Sequence, residues 1–347
     1  MSRLMHVMHG PYAPPVPARE LVAVSADGAR LHVEVHGPEH APAVVLSHGW
    51  TCSTAFWAAQ IRDLAADHRV IAYDQRGHGR SPASPACTTD ALADDLEAVL
   101  AATLAPGEKA VLVGHSMGGM TLMAASARPR FREHAAAALL CSTGSSKLVA
   151  ESLVVPMGAG RVRTWLTGKI LGSRAPLGPV TPVARRILKY ATMGPGSSPV
   201  MVEACARVVH ACPRAVRHAW SRVLELIDLD YGVREMQVPT AVVAGTADRM
   251  TPVVHARALV AALPNCVGST ELAGVGHMTP VEAPELVGSR IRELVAAYAV
   301  GTEGAPGAGG PASAGAAKGV QAAEMAENAE IAENAEIAEN AEIKEGA

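Results

Sequence analysis

Aromatic residues are scarce in this chain: Phe, Trp and Tyr together make up 3% of its 347 residues. A core of ordinary size must therefore be built from Val, Leu, Ala and Met, and the 49% hydrophobic content supplies enough of them. Paired cysteine spacings are also missing. The six cysteines (Cys52, Cys87, Cys141, Cys205, Cys212 and Cys266) are scattered, which speaks against a disulfide scaffold and for a reducing compartment. Cys205, His210 and Cys212 fall at i, i+5 and i+7 of an expected helix and do not share a face, so no metal site is expected there. No apolar run reaches the 18 residues of a membrane span, and the N-terminal residues carry no signal-peptide core. A cytoplasmic protein is the expectation.

Strong charge bias is absent overall. A net charge of −3 offers no general argument for nucleic acid or for an anionic membrane. The charge is uneven, however. Residues 301–347 hold nine Glu and two Lys, so the first 300 residues carry about +4.

Five segments follow from composition and periodicity. Residues 1–19 form a proline-rich lead, expected to be extended and mobile. Residues 20–144 alternate strands and helices. A hairpin over 21–36 turns at Asp27-Gly28, strands are expected at 43–47, 69–73, 109–113 and 135–141, and helices at 56–66, 89–104 and 119–125. Such alternation implies a mostly parallel sheet covered on both faces. The pattern stops over 145–236, where helical patches near 161–171, 184–193, 200–212 and 214–227 read as a cap over one end of the sheet. It returns over 237–300, with strands at 240–244 and 266–272 and helices at 253–263 and 282–299. The remainder, 301–347, is a Gly/Ala/Pro linker followed by three Ala-Glu-Asn-Ala-Glu-Ile repeats. A period of six turns successive Ile residues 240° apart on a helix, so they form no stripe. A solvated segment is expected there, with docking to a protein partner as the alternative reading of the acidic tail.

The most informative stretch is Gly114-His-Ser-Met-Gly118, placed between an expected strand and an expected helix. A serine at the apex of so tight a turn needs a strained backbone to lift its hydroxyl clear, and the crowded positions two before and two after it need Gly. Ser116 is the candidate nucleophile. His277, in the Gly-rich loop Ala273-Gly-Val-Gly-His-Met278, is the candidate base, and Asp248, in Gly245-Thr-Ala-Asp248, is the candidate acid. The loop after strand 135–141 reads Cys141-Ser-Thr-Gly-Ser-Ser146 and offers no rival carboxylate. Ser116, Asp248 and His277 all follow expected strands, the end at which open parallel sheets bind ligands. The backbone N–H groups of Met117 and Trp50 are the candidate oxyanion donors, with Gly49 permitting the turn that aims the second. The Trp50 side chain lines an acyl pocket or simply packs; both readings stay open.

These landmarks resemble the α/β-hydrolase superfamily, in its serine esterase/lipase-like branch with a helical cap inserted after the sixth strand. His48-Gly49-Trp50, Asp74-Gln-Arg-Gly-His-Gly79, Gly114-His-Ser-Met-Gly118, Gly245-Thr-Ala-Asp248 and Gly276-His277 carry the likeness across roughly residues 20–300. The resemblance implies an eight-stranded, mostly parallel sheet flanked by helices. It also implies a triad of Ser116, Asp248 and His277, oxyanion donors at Met117 and Trp50, and a structural turn at residues 74–79. Serine at position 116 argues against haloalkane dehalogenases and epoxide hydrolases, which use aspartate there. The implied substrate is a small-molecule carboxylic ester cleaved through an acyl-enzyme without a cofactor. Thioester, carbon–carbon and perhydrolase/haloperoxidase chemistry on the same triad are alternatives, and a ligand-binding receptor is the reading from another class.

Overall fold

The computed structural model describes residues 10–300. The expectations for residues 1–9 and for the acidic repeat segment 301–347 lie outside the described residues.

A hairpin of β1 (Arg19–Val24) and β2 (Arg30–His36) turns at Gly28, whose φ of +84° a glycine adopts without strain. It leads into β3 (Ala43–Ser47), α1 (Ala58–Leu64), β4 (Arg69–Tyr73), α2 (Thr89–Thr103) and β5 (Ala110–His115). Next come α3 (Met117–Ala125), α4 (Pro129–His134) and β6 (Ala135–Cys141). Six helices run between β6 and the next strand, the first five being α5 (Leu148–Glu151), α6 (Arg161–Leu171), α7 (Pro182–Thr192), α8 (Pro199–Ala211) and α9 (Arg214–Leu226). The chain ends with α10 (Asp230–Glu235), β7 (Thr240–Gly245), α11 (Val253–Ala262), β8 (Cys266–Leu272), α12 (Thr279–Glu282) and α13 (Pro284–Leu294), which closes in a π-turn over Val295–Ala299.

The eight strands form one sheet in the order β1-β2-β4-β3-β5-β6-β7-β8. Only the β1–β2 and β2–β4 pairs are antiparallel; the rest are parallel. The side-chain period of two sorts the central strands between two cores. Val45 and Leu112 pack on one face, while Val44, Leu46, Val111 and Val113 pack on the other. Aliphatic packing dominates, and the scarce aromatics Trp57, Tyr73, Phe131 and Trp220 are fully buried.

Several helix boundaries differ from the sequence reading, two of them for plain local reasons. Helix α7 starts two residues early because Thr181 accepts from the Ala184 N–H (3.1 Å) and Pro182 takes the first turn, where no donor is needed. The single helix expected over 282–299 is broken, since Pro284 cannot continue α12 and opens α13 instead. From Tyr12 onward the proline-rich lead touches the domain. The Tyr12 hydroxyl donates to the Val281 carbonyl (3.2 Å) and Arg62 donates to the Ala13 carbonyl (2.7 Å). Among the described residues no helix is long and apolar enough to cross a membrane.

Candidate active site

Ser116 sits between the end of β5 and the start of α3 with φ +51° and ψ −118°, a conformation that few non-glycine residues adopt. Its neighbours explain the glycines around it. A Cβ on Gly118 would lie 1.9 Å from the Ser47 carbonyl oxygen, and one on Gly114 would lie 2.5 Å from the Gly118 oxygen. The α3 backbone can therefore pass the end of β3 only without a side chain at position 118, and can fold back over β5 only without one at position 114.

Three strand ends bring the sequence-predicted residues together. The Ser116 Oγ is 3.0 Å from His277 Nε2, and His277 Nδ1 is 2.8 Å from Asp248 Oδ2. All three side chains are buried or nearly so. Asp248 follows β7 and His277 follows β8, and Gly245 lets the two loops touch, because a Cβ there would meet the Val275 oxygen at 2.2 Å. Asp248 Oδ1 also accepts from the backbone N–H groups of Met250 (2.8 Å) and Thr251 (2.9 Å). The backbone N–H groups of Met117 and Trp50 have no acceptor among the described residues.

Several residues in this assembly were not singled out from the sequence. The Thr251 hydroxyl lies 2.8 Å from Asp248 Oδ2, 3.1 Å from His277 Nδ1 and 3.0 Å from the Ser142 carbonyl. With one proton to share, it sits between the carboxylate, the imidazole and the backbone just after β6. His115 donates from Nε2 to the His277 carbonyl (2.9 Å), since a carbonyl can only accept; burial, then the nearby His277, pushes its pKa well below the ordinary histidine value. Glu282 gathers the His277 loop, accepting from the N–H groups of Gly276 (3.1 Å) and Met278 (3.1 Å) and also from Gly194 (2.7 Å). The available sequence signal was position alone: Thr251 lies three residues after Asp248, and Glu282 lies five after His277.

The loop bearing Trp50 is sewn to the turn at residues 74–79. His78 Nε2 accepts from the Thr51 N–H (3.2 Å), Asp74 Oδ1 accepts from the Thr54 N–H (2.8 Å), and His48 Nε2 accepts from the Gln75 N–H (3.0 Å). Burial holds His48 down to about 3 and His78 down to about 4, so both rings stay neutral acceptors. Arg76 in the same turn reaches away from the site, forming a buried fork on Asp95 at 2.7 and 2.5 Å. The Trp220 indole of α9 donates to the Arg76 carbonyl (3.3 Å), so the helices between β6 and β7 rest on this turn.

Above Ser116 lies a cavity of about 620 Å³. Its walls are mostly aliphatic, with Met120, Leu148, Leu171, Leu188, Val209 and Leu224 among them. The Trp50 side chain does both things left open by the sequence: its ring lines the cavity and packs on the core, while its Nε1 donates to the Arg217 carbonyl (3.1 Å). All six cysteines are free, and burial raises the Cys141 and Cys212 thiols to about 12, far from a reactive state. Among the described residues one His/Glu group, Glu20–His32–Glu34, has the spacing of a metal site. Its atoms are already engaged, with His32 on Glu34 (3.0 Å) and Arg80 on Glu20 (2.6 Å).

Comparison with known proteins is consistent with this geometry. The model described as "Alpha/beta hydrolase family" matches residues 44–289. The chain is 36% identical over 103 residues to 3-oxoadipate enol-lactonase 1 of Acinetobacter baylyi, covering 30% of this chain and 38% of the relative. It is 42% identical over 84 residues to the esterase YbfF of Escherichia coli, covering 24% of this chain and 32% of that one. The matches thus span about a third of the length of these curated relatives. Among solved structures, the esterase RhEst1 from Rhodococcus sp. ECU1013 superposes with a TM-score of 0.66 at 26% identity, covering 80% of this chain and 99% of that one.

Proposed function

This chain belongs to the alpha/beta hydrolase family, and from that premise we propose that it is a serine hydrolase cleaving carboxylic esters through an acyl-enzyme. The observation that carries the proposal is the continuous relay from Ser116 through His277 to Asp248 at the floor of an apolar cavity.

In the proposed cycle neutral His277 takes the Ser116 proton through Nε2 as Oγ attacks the ester carbonyl. The negative charge that develops on the carbonyl oxygen is met by the Met117 and Trp50 N–H groups, which have no competing acceptor among the described residues. Losing one such donor typically costs about 3–4 kcal/mol of transition-state stabilisation. His277 then passes its proton to the leaving alcohol, the C–O bond breaks, and water repeats the sequence on the acyl-enzyme. Asp248 holds the imidazole by its Nδ1–H and stabilises the imidazolium. Thr251 keeps that pair in register.

The cavity favours an acyl or alcohol group that is mostly hydrocarbon and of medium length. The test is hydrolysis of p-nitrophenyl esters from acetate to palmitate by wild type and Ser116→Ala in parallel. The expected result is turnover with a medium-chain optimum that drops by roughly 10³-fold or more in the variant. Turnover that survives in Ser116→Ala would sink the proposal. A protein whose Ser116 reacts with a fluorophosphonate but turns over no ester would redirect it to thioester, carbon–carbon or peracid chemistry.

A further inference from the structure

The stretch from residue 152 to residue 202 holds seven Arg or Lys and not one Asp or Glu. The overall charge of −3 conceals this, because the acid is concentrated elsewhere in the chain. Part of the positive charge is used internally: Arg163 is buried, and Arg185 pairs with Glu203 at 2.6 Å. Arg161, Lys169, Arg174 and Arg186 are exposed and make no ion pair among the described residues.

Apolar side chains stand among these four cations. Helix α7 buries none of its residues and presents Val183, Ile187 and Tyr190 at i, i+4 and i+7 to solvent. Helix α6 buries Arg163 and Thr167 but exposes Val162 and Trp165, with Ile170 exposed near its end. In a chain with four tryptophans, one that is 61% exposed on a helix needs an explanation. Lys169 bends over the Trp165 ring at 5.9 Å, so charge and apolar surface are interleaved. This face is also the mouth of the cavity: Lys169, Ile170, Leu177 and Ile187 line it and are themselves exposed.

We propose that the α6–α7 face docks on an anionic phospholipid bilayer, seating Trp165, Val183 and Ile187 among the acyl chains and the unpaired cations among the headgroups. Two facts favour a bilayer over an acidic protein. Trp165 lies one helical turn from Lys169 and Val183 one turn from Ile187, and Lys169 and Ile187 both border the cavity, so each helix turns exposed apolar side chains toward one rim, which suits a hydrocarbon boundary. The cavity opens at that rim, so an acyl chain can leave the bilayer for the site without crossing water. That last benefit rests on the ester hydrolase reading; the docking itself does not.

The test is flotation of the full chain with vesicles of phosphatidylcholine alone and of phosphatidylcholine with phosphatidylglycerol in equal parts. Expected is capture by the anionic vesicles that weakens with added salt, and little capture by the neutral ones. The double variant Arg161→Glu/Arg186→Glu should bind roughly tenfold more weakly or worse, since each lost basic contact counts and the new acids are repelled. Trp165→Ser/Val183→Ser should lose binding as well, while p-nitrophenyl acetate hydrolysis by both pairs stays at the wild-type level and reports an intact fold. Ser116→Ala should float like wild type, which separates the docking from the catalytic proposal. Failure of wild type to float, equal flotation of the variants, or binding to soluble polyglutamate in place of vesicles would each overturn the proposal.

Discussion

Replacing Ser116 by glycine and by alanine gives two variants whose order of stability reports the backbone strain at the apex of the turn. Both lose the hydroxyl and its 3.0 Å contact with His277, so that loss cancels between them. What remains is the Cβ. At φ +51° and ψ −118° a side chain costs about 1–3 kcal/mol that glycine does not incur. Against this, glycine loses more backbone freedom on folding, about 0.5–1 kcal/mol relative to alanine. The difference leaves Ser116→Gly more stable than Ser116→Ala by about 1 kcal/mol, within a range of about 0–2.5, the reverse of the order at an ordinary helix start. For a domain of this size that is a Tm higher by about 1–4 °C. Differential scanning calorimetry of the two inactive variants at one pH measures it directly. If the glycine variant melts below the alanine variant, Ser116 is not strained and the argument for its glycine neighbours fails with it.

Three further outcomes are expected. Thr251→Val should keep the fold and lower kcat/KM by about tenfold, because a hydrogen bond to a charged partner is worth about 1.5–3 kcal/mol and the Met250 and Thr251 N–H groups still hold Asp248; an unchanged kcat/KM would show that the hydroxyl positions nothing. Leu188→Trp should shift the preferred p-nitrophenyl ester toward shorter acyl chains by filling the cavity, and a preference that does not move would place the acyl group elsewhere. Stability should fall as the pH drops from about 6.5 toward 4, because His48 and His78, held at about 3 and about 4, stay neutral in the fold while the unfolded chain takes up their protons. Asp74 works the other way below its raised value of about 6, being buried, but one carboxyl does not offset two histidines together with His115, which burial also pushes well below the ordinary histidine value. A urea midpoint unchanged between pH 7 and pH 5 would contradict this.

Local chemistry announced much of this protein. The strand–turn–helix around Ser116 was legible because Gly114 and Gly118 are demanded by contacts within a few residues and with the neighbouring strand end. The sheet was legible because buried parallel strands such as residues 43–47 and 135–141 are apolar on both faces, a pattern no surface element needs. Helix ends were less so. The capping Thr181 and the breaking Pro284 are single residues whose effect depends on which of two competing backbone paths the rest of the fold supports.

The sequence by itself determined the alternation of strands and helices along the chain, the glycine-flanked turn at Ser116 and the candidate partners Asp248 and His277. Ser116, Asp248 and His277 each follow a strand, but so do His48 and Asp74, and the flanking motifs chose among them. The tertiary structure alone decided that Thr251, His115 and Glu282 hold the relay, since their roles are contacts across 26, 162 and up to 88 positions of chain. It also placed Lys169 over the exposed Trp165 ring and on the rim of the cavity. Periodicity records which side of a helix is apolar, whereas only packing shows whether anything covers that side.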